Sequence, residues 1–116
     1  MSRVSRFRVL LATVPEGKLA LTIARGLVER KLAACVNVMP GLTSVYRWAG
    51  KVHRDAEVLL VIKTRAGVVN AATRFIKERH PAKVPEIISL PITEGNPSYL
   101  EWIGANTLCA QKERGT

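Results

Sequence analysis

The constraint that dominates this chain lies in residues 32–64. The stretch LAACVNVMPGLTSVYRWAG (32–50) begins as a strand, breaks at Pro40-Gly41, resumes as a strand and turns at Ala49-Gly50. A return strand follows at once, from Lys51 to Thr64. About a quarter of the 116 residues is thus one long antiparallel hairpin with a kink in one arm. A hairpin of that length overhangs a small core, and it presents pairing edges that something must cover. An oligomer is the expectation before any chemistry is considered.

The remaining elements follow from periodicity and punctuation. Phe7 to Val14 reads as a strand ended by Pro15. From Lys18 to Lys31, Ala20, Ala24, Leu27 and Val28 recur at helical spacing. Glu16 stands near the start of that helix and Arg30 and Lys31 at its end, in the sense the helix dipole favours. Ala34 to Met39 alternates as a strand, with Val36 and Val38 on one face and Cys35, Asn37 and Met39 on the other. Pro40-Gly41 predicts a bulge or bend, because proline cannot donate to the ladder. The apolar run Val58 to Ile62 in the return strand predicts burial on both faces. Val68, Ala72, Phe75 and Ile76 mark a second helix. Val84 to Thr93 reads as a fourth strand, which Pro85 and Pro91 place at an edge. Asn96-Pro97 is an N-cap followed by proline at the first helical position, opening a third helix that reaches about Leu108.

The order βαββαβ plus a C-terminal helix predicts an α+β, ferredoxin-like sandwich with a long hairpin between its second and third strands. It forms one domain over residues 1–116, with 1–6 and 110–116 expected to fray. Two helices cover one face of the sheet. No helix is assigned to the other face, whose residues are not all polar, so a second copy or a partner is expected there.

Composition narrows the class. The hydrophobic share of 47% is that of a globular protein, and no apolar run approaches the ~20 residues of a membrane span. The run Val9 to Val14 is too short for a signal-peptide core, so a cytoplasmic location is expected. Cys35 and Cys109 make no CxxC and are read as reduced thiols. The net charge of +9 is uneven, with 16 Lys/Arg against 5 Asp/Glu in residues 1–83 and 2 against 4 in residues 84–116. Such a balance suits a solvated basic surface, nucleic acid, a membrane surface or an anionic ligand. The basic residues are scattered, no run exceeds two, and aromatics are only 5%. Specific nucleic-acid recognition is therefore not expected, only weak and salt-sensitive binding.

No GxSxG, HExxH, P-loop or GxGxxG occurs. His53 and His80 are not at metal-ligand spacing from each other. His80, just before Pro81, is either a cation at a helix C-terminus or a ligand or proton-transfer group. Cys35 alternates with valines and reads first as a small buried hydrophobe. Tyr46 and Trp48, at the hairpin tip, carry too much apolar area to leave wet and predict a partner surface.

LAACVN (32–37), PGLTSVYRWAGK (40–51), EVLLVIKT (57–64), ERHP with VPEI (78–81 and 84–87) and YLEWI (99–103) closely resemble the CutA family, the divalent-cation tolerance proteins. The resemblance runs in order from about Val9 to Asn106. It implies a ferredoxin-like subunit similar to PII signalling proteins and a tight homotrimer whose hairpins reach across to neighbouring subunits. It also implies binding of copper(II) or another divalent cation. The family cleft, between subunits, corresponds to Lys63, His80, Glu86 and Trp48. There Lys63 would hold an anion, Glu86 and His80 a cation, and Trp48 would close the wall. Cys35 matches the family's common cysteine and joins His80 as a weak metal ligand.

Departures from the family pattern bear on the metal. Ala82 and Lys83 stand where an aromatic and often an acid are usual. Ala12 stands where some bacterial members have a thiol, and Arg79 where some have a second histidine. One imidazole cannot hold copper firmly, since copper(II) prefers several N/O/S donors. The reading is a homotrimeric divalent-cation tolerance protein, not an enzyme, with an unknown small ligand. A PII-like sensor of a small anion, a nucleic-acid module and a structural trimer scaffold are the alternatives.

Overall fold

The structure, a computed structural model, describes residues 6–108. Cys109 and all but one of the terminal residues expected to fray lie outside the described residues. The elements are β1 (Phe7–Pro15), α1 (Leu19–Glu29), β2 (Cys35–Trp48), β3 (Lys51–Arg65), α2 (Val69–Arg79), β4 (Ile87–Pro91) and α3 (Pro97–Ala105), with a short 3-10 turn at Ala66–Val68. One sheet in the order β2-β3-β1-β4, antiparallel throughout, completes the ferredoxin-like arrangement.

Both helices between strands pack on one face. α1 buries Ala20, Ile23, Ala24 and Leu27, and α2 buries Ala72, Phe75 and Ile76. Against them lie Leu10, Ala12 and Val14 of β1 and Val58, Leu60 and Ile62 of β3. Helical and alternating periods thus meet on one core. α1 stops earlier than its periodicity predicts. Lys31 adopts φ 59°. Its N–H bonds the Val28 carbonyl at 3.0 Å, and the Leu32 N–H bonds the Leu27 carbonyl at 2.9 Å. That pair is a Schellman stop built on lysine where glycine is usual.

The kink in the hairpin is a register shift between Met39 and Leu42, with Gly41 at φ 84°. The reversal is the two-residue turn Ala49-Gly50, both left-handed, as a type I′ hairpin needs. β1 covers β3 only as far as the Pro15–Glu57 pair. Beyond it, β2 and β3 continue as a two-stranded ribbon whose Val45 and Val52 are 68% and 65% exposed. Such a ribbon is marginal alone.

The other sheet face is apolar. Val9 lies between Lys63 and Leu90, and Leu11 between Val61 and Ile88, while Leu59 bridges Thr13 and Met39. The predicted burial of β3 on both faces is therefore half met within one chain: Val58, Leu60 and Ile62 are buried, Leu59 and Val61 partly so. One expectation is corrected here. α3 crosses one end of this face, where Arg65 donates to the Gly104 carbonyl and Gly104 lies against the Phe7 ring. α3 opens on Asn96, whose side chain accepts from the Ser98 N–H at 3.2 Å, and ends at Ala105, short of Leu108. β4 is likewise shorter than predicted, because residues 80–86 run irregularly beneath the ribbon rather than in the ladder.

Candidate functional site

A groove of about 640 Å3 opens where the overhanging ribbon leaves the body of the sheet. Ser44, Val45, Tyr46, Trp48 and Glu57 form its ribbon wall, and Thr13, His80 and residues 82–86 form the other. The bulge at Pro40-Gly41 and the early end of β1 create it: the ribbon bends while no third strand follows. Thr13, nearly buried, donates from Oγ1 to Glu86 Oε1 at 3.5 Å. His80 is half-buried; its Nε2 is 2.7 Å from the Thr13 carbonyl oxygen, and its Nδ1 is 3.0 Å from the Ala82 N–H nitrogen.

The charges in the groove are out of keeping with the chain. Among the described residues, the salt bridges are Arg25–Glu29 and Arg79–Glu78, neither in the groove. Glu57 and Glu86 thus face the groove without an ion pair, in a protein of net charge +9. Lys83 is the cation beside them. Among the described residues no group of three or more His, Cys, Asp or Glu is arranged to hold a metal.

Of the residues singled out in the sequence, His80, Glu86 and Trp48 share this groove within one chain. Lys63 and Cys35 do not. They pair across β2 and β3 and lie beside Val9 on the apolar sheet face. Lys63 Nζ donates to Asn37 Oδ1 and lies 3.8 Å from Cys35 Sγ. Val9 is four residues from Thr13, about 13 Å along the strand. Within one chain Cys35 and His80 therefore cannot share an ion, and any joint use of Lys63 and the groove needs a second copy. Glu57, Ser44 and Thr13 do not stand out in the sequence. The one signal is a lone charge, Glu57, opening the apolar EVLLVIKT strand.

Both tyrosines of the chain are held in the neutral form. Tyr46 donates to Asp55, and that bond, with lesser contributions from burial and acidic neighbours, raises its ionisation above the ordinary phenol value. Desolvation, followed by Cys35, raises Tyr99 in the same direction. A phenol raised on folding contributes stability that is complete below its unfolded value of ~10 and is lost as pH rises through the folded value. Absorbance titration is expected to show tyrosinate forming at higher pH in the native protein than in urea. Coincident curves would contradict these environments.

Residues 8–106 match the profile of the CutA1 divalent ion tolerance protein family. The chain belongs to that family. It is 52% identical over 99 residues to the divalent-cation tolerance protein CutA of Thermus thermophilus, covering 85% of this chain and 96% of that one. It is 59% identical over 92 residues to a CutA homolog of Xenopus laevis, covering 79% of this chain and 61% of that longer protein. The solved CutA1 of Thermus thermophilus superposes with a TM-score of 0.85 at 51% identity, covering 87% of this chain and 98% of that one. The solved CutA1 of Oryza sativa gives 0.86 at 46% identity, covering 92% and 98%. The ferredoxin-like α+β subunit implied by the CutA resemblance is the observed one. No helix among the described residues is long and apolar enough to cross a membrane.

Proposed function

We propose that this CutA1-family member binds a divalent cation weakly in the groove, through the carboxylates of Glu57 and Glu86, and works as a binding protein rather than an enzyme. The observation that carries the reading is the pair of groove carboxylates left without an ion pair in a chain of net charge +9. Carboxylate and hydroxyl oxygens suit hard and borderline cations, and two carboxylates make a weak site. Copper(II) heads the divalent order for such donors and is the cation expected to bind tightest. The homotrimer and the cytoplasmic setting belong to the same proposal. The apolar sheet face and the exposed ribbon support the first, and the unpaired Cys35 thiol supports the second.

Calorimetry with copper(II) and zinc(II) on the wild type and on Glu57→Gln/Glu86→Gln tests the site. Each lost carboxylate contact is worth about 1.5–3 kcal/mol, so the double variant is expected to bind at least tenfold more weakly. Unchanged affinity would move the site elsewhere. A second reading, a PII-like sensor of a small anion, is favoured by Lys83 in the same groove. Phosphate or nucleotide binding that survives the double substitution and is lost in Lys83→Ala would favour it.

A further inference from the structure

His80 is held at both ring nitrogens by partners whose roles are fixed. The Thr13 carbonyl, 2.7 Å from Nε2, can only accept. The Ala82 N–H, 3.0 Å from Nδ1, can only donate. The two together assign one neutral tautomer, with the proton on Nε2 and the lone pair of Nδ1 already engaged. A metal ion needs a ring nitrogen with a free lone pair. At Nδ1 it would displace the Ala82 N–H; at Nε2 it would displace the Thr13 bond.

The local sequence builds this arrangement. Pro81 confines the residue before it to extended backbone, and His80 sits at φ −85°, ψ 134° as α2 ends. Proline also removes its own N–H, so the first donor past the turn is Ala82. Among the described residues, no turn or loop bond between backbone groups involves residues 81–86. The segment reaches Glu86 and enters the ladder only at Ile87, paired with Ala12. The ring is thus the bridge between a segment poor in backbone bonds and a β1 residue 67 positions away in the chain. The same β1 residue, Thr13, meets Glu86 with its hydroxyl.

We infer that His80 is a positioning residue and not a metal ligand: its imidazole pins residues 81–86 to β1 and so sets Glu86 into the groove. The pin itself stands on geometry alone, while its consequence for cation binding rests on the reading of the groove given above.

Nitrogen-15 NMR of the full chain at pH 7.5 tests it. Long-range proton–nitrogen correlations are expected to show His80 protonated at Nε2 and unprotonated at Nδ1; the opposite tautomer would overturn the pin. Hydrogen exchange at the Ala82 amide is expected to accelerate roughly tenfold in His80→Ala, the loss of hydrogen bonds of ordinary strength. It should accelerate less in His80→Asn, whose amide oxygen can still accept from Ala82. Unchanged exchange in His80→Ala would also overturn the pin. Zinc(II), added as a diamagnetic probe, is expected to shift the side-chain carboxyl carbons of Glu57 and Glu86 and leave the His80 ring nitrogens in place. Movement of either His80 nitrogen to a metal-bound position would show that the imidazole is a ligand. If zinc(II) shifts nothing, the cation reading of the groove fails, and the tautomer and exchange results decide the pin.

Discussion

Leu11→Asp is expected to convert a species of three times the 12.7 kDa chain mass into one of single-chain mass or into precipitate, read by sedimentation at low micromolar protein. Leu11 is only half-buried within one chain, with Val61 and Ile88 as its cross-strand neighbours. On a monomer, a carboxylate at such a position keeps much of its water and costs little. Inside an assembly it is an unpaired buried charge, which costs about 3–5 kcal/mol when a partner is missing. Because symmetry places the same substitution in every copy, the penalty recurs in each subunit. The sign of the experiment therefore depends on whether this face is covered.

The apolar row supports a covered face. Ile88, Leu90 and Met39 are each about half exposed and stand beside Leu11, Val9 and Leu59. Surfaces of that kind are usually interaction sites. The ribbon adds Val45, Tyr46, Trp48 and Val52, all exposed. A wild-type chain that sediments as a stable, folded monomer would sink the trimer, and so would a Leu11→Asp variant with unchanged mass. If the trimer holds, unfolding midpoints will rise with protein concentration.

What can be read from the residues divides along a physical line. The helix faces, the kink at Pro40-Gly41 and the cap at Asn96-Pro97 are legible because each rests on local chemistry: a period, a missing donor, a side-chain oxygen. The stop at Lys31 is not, since glycine is the usual signal for a left-handed residue and a lysine there is carried by the packing of Leu32. Nor is the place of α3. Asn96-Pro97 announces the helix, but Arg65 and Phe7, far away in the chain, meet it at Gly104 and decide which sheet face receives it. β4 is shorter than its pattern: Val84 to Thr93 reads as strand, but the ladder runs only from Ile87 to Pro91, and residues 84–86 lie outside it, beyond the turn that His80 bonds at Ala82.

The groove is partly legible. Trp48, His80 and Glu86 enter through the family pattern and do meet. Glu57 and Thr13 look like strand residues, and only the end of β1 at Pro15 exposes what they present. Lys63 and Cys35 are grouped with His80 by the family pattern in a cleft between subunits; within one chain, position along a strand separates them by more than a side chain spans, so only a second copy could bring them to the groove. His80 itself illustrates the deeper limit. Sequence identifies an imidazole before a proline, but whether its lone pair is free depends on Ala82 and Thr13, and that is decided by tertiary structure.

Gly26→Ala is expected to destabilise the protein, although alanine is the better helix former. In an open helix the change would be worth about 1 kcal/mol in alanine's favour, and the reduced freedom of the unfolded chain acts in the same direction. Here a Cβ would fall 2.5 Å from Phe75 Cζ and 3.1 Å from Cε2. The ring is not free to leave. It is almost wholly buried, the Arg79 guanidinium lies 3.6 Å from its centroid, and that of Arg30 lies 4.8 Å away. Arg79 Nη1 also donates to the Phe75 carbonyl at 2.9 Å, tying the guanidinium to the same residue. Overpacking of a close-packed site costs about 1–3 kcal/mol, and displacing this ring also weakens two cation–π contacts of ~0.5–1 kcal/mol each. The clash outweighs the propensity gain, leaving a net loss of about 1–2 kcal/mol. Urea unfolding at fixed protein concentration measures it. In a Phe75→Leu background the obstacle is gone, and Gly26→Ala should become neutral or stabilising. If Gly26→Ala is as stable as the wild type with Phe75 present, the ring yields more readily than its two guanidinium neighbours imply.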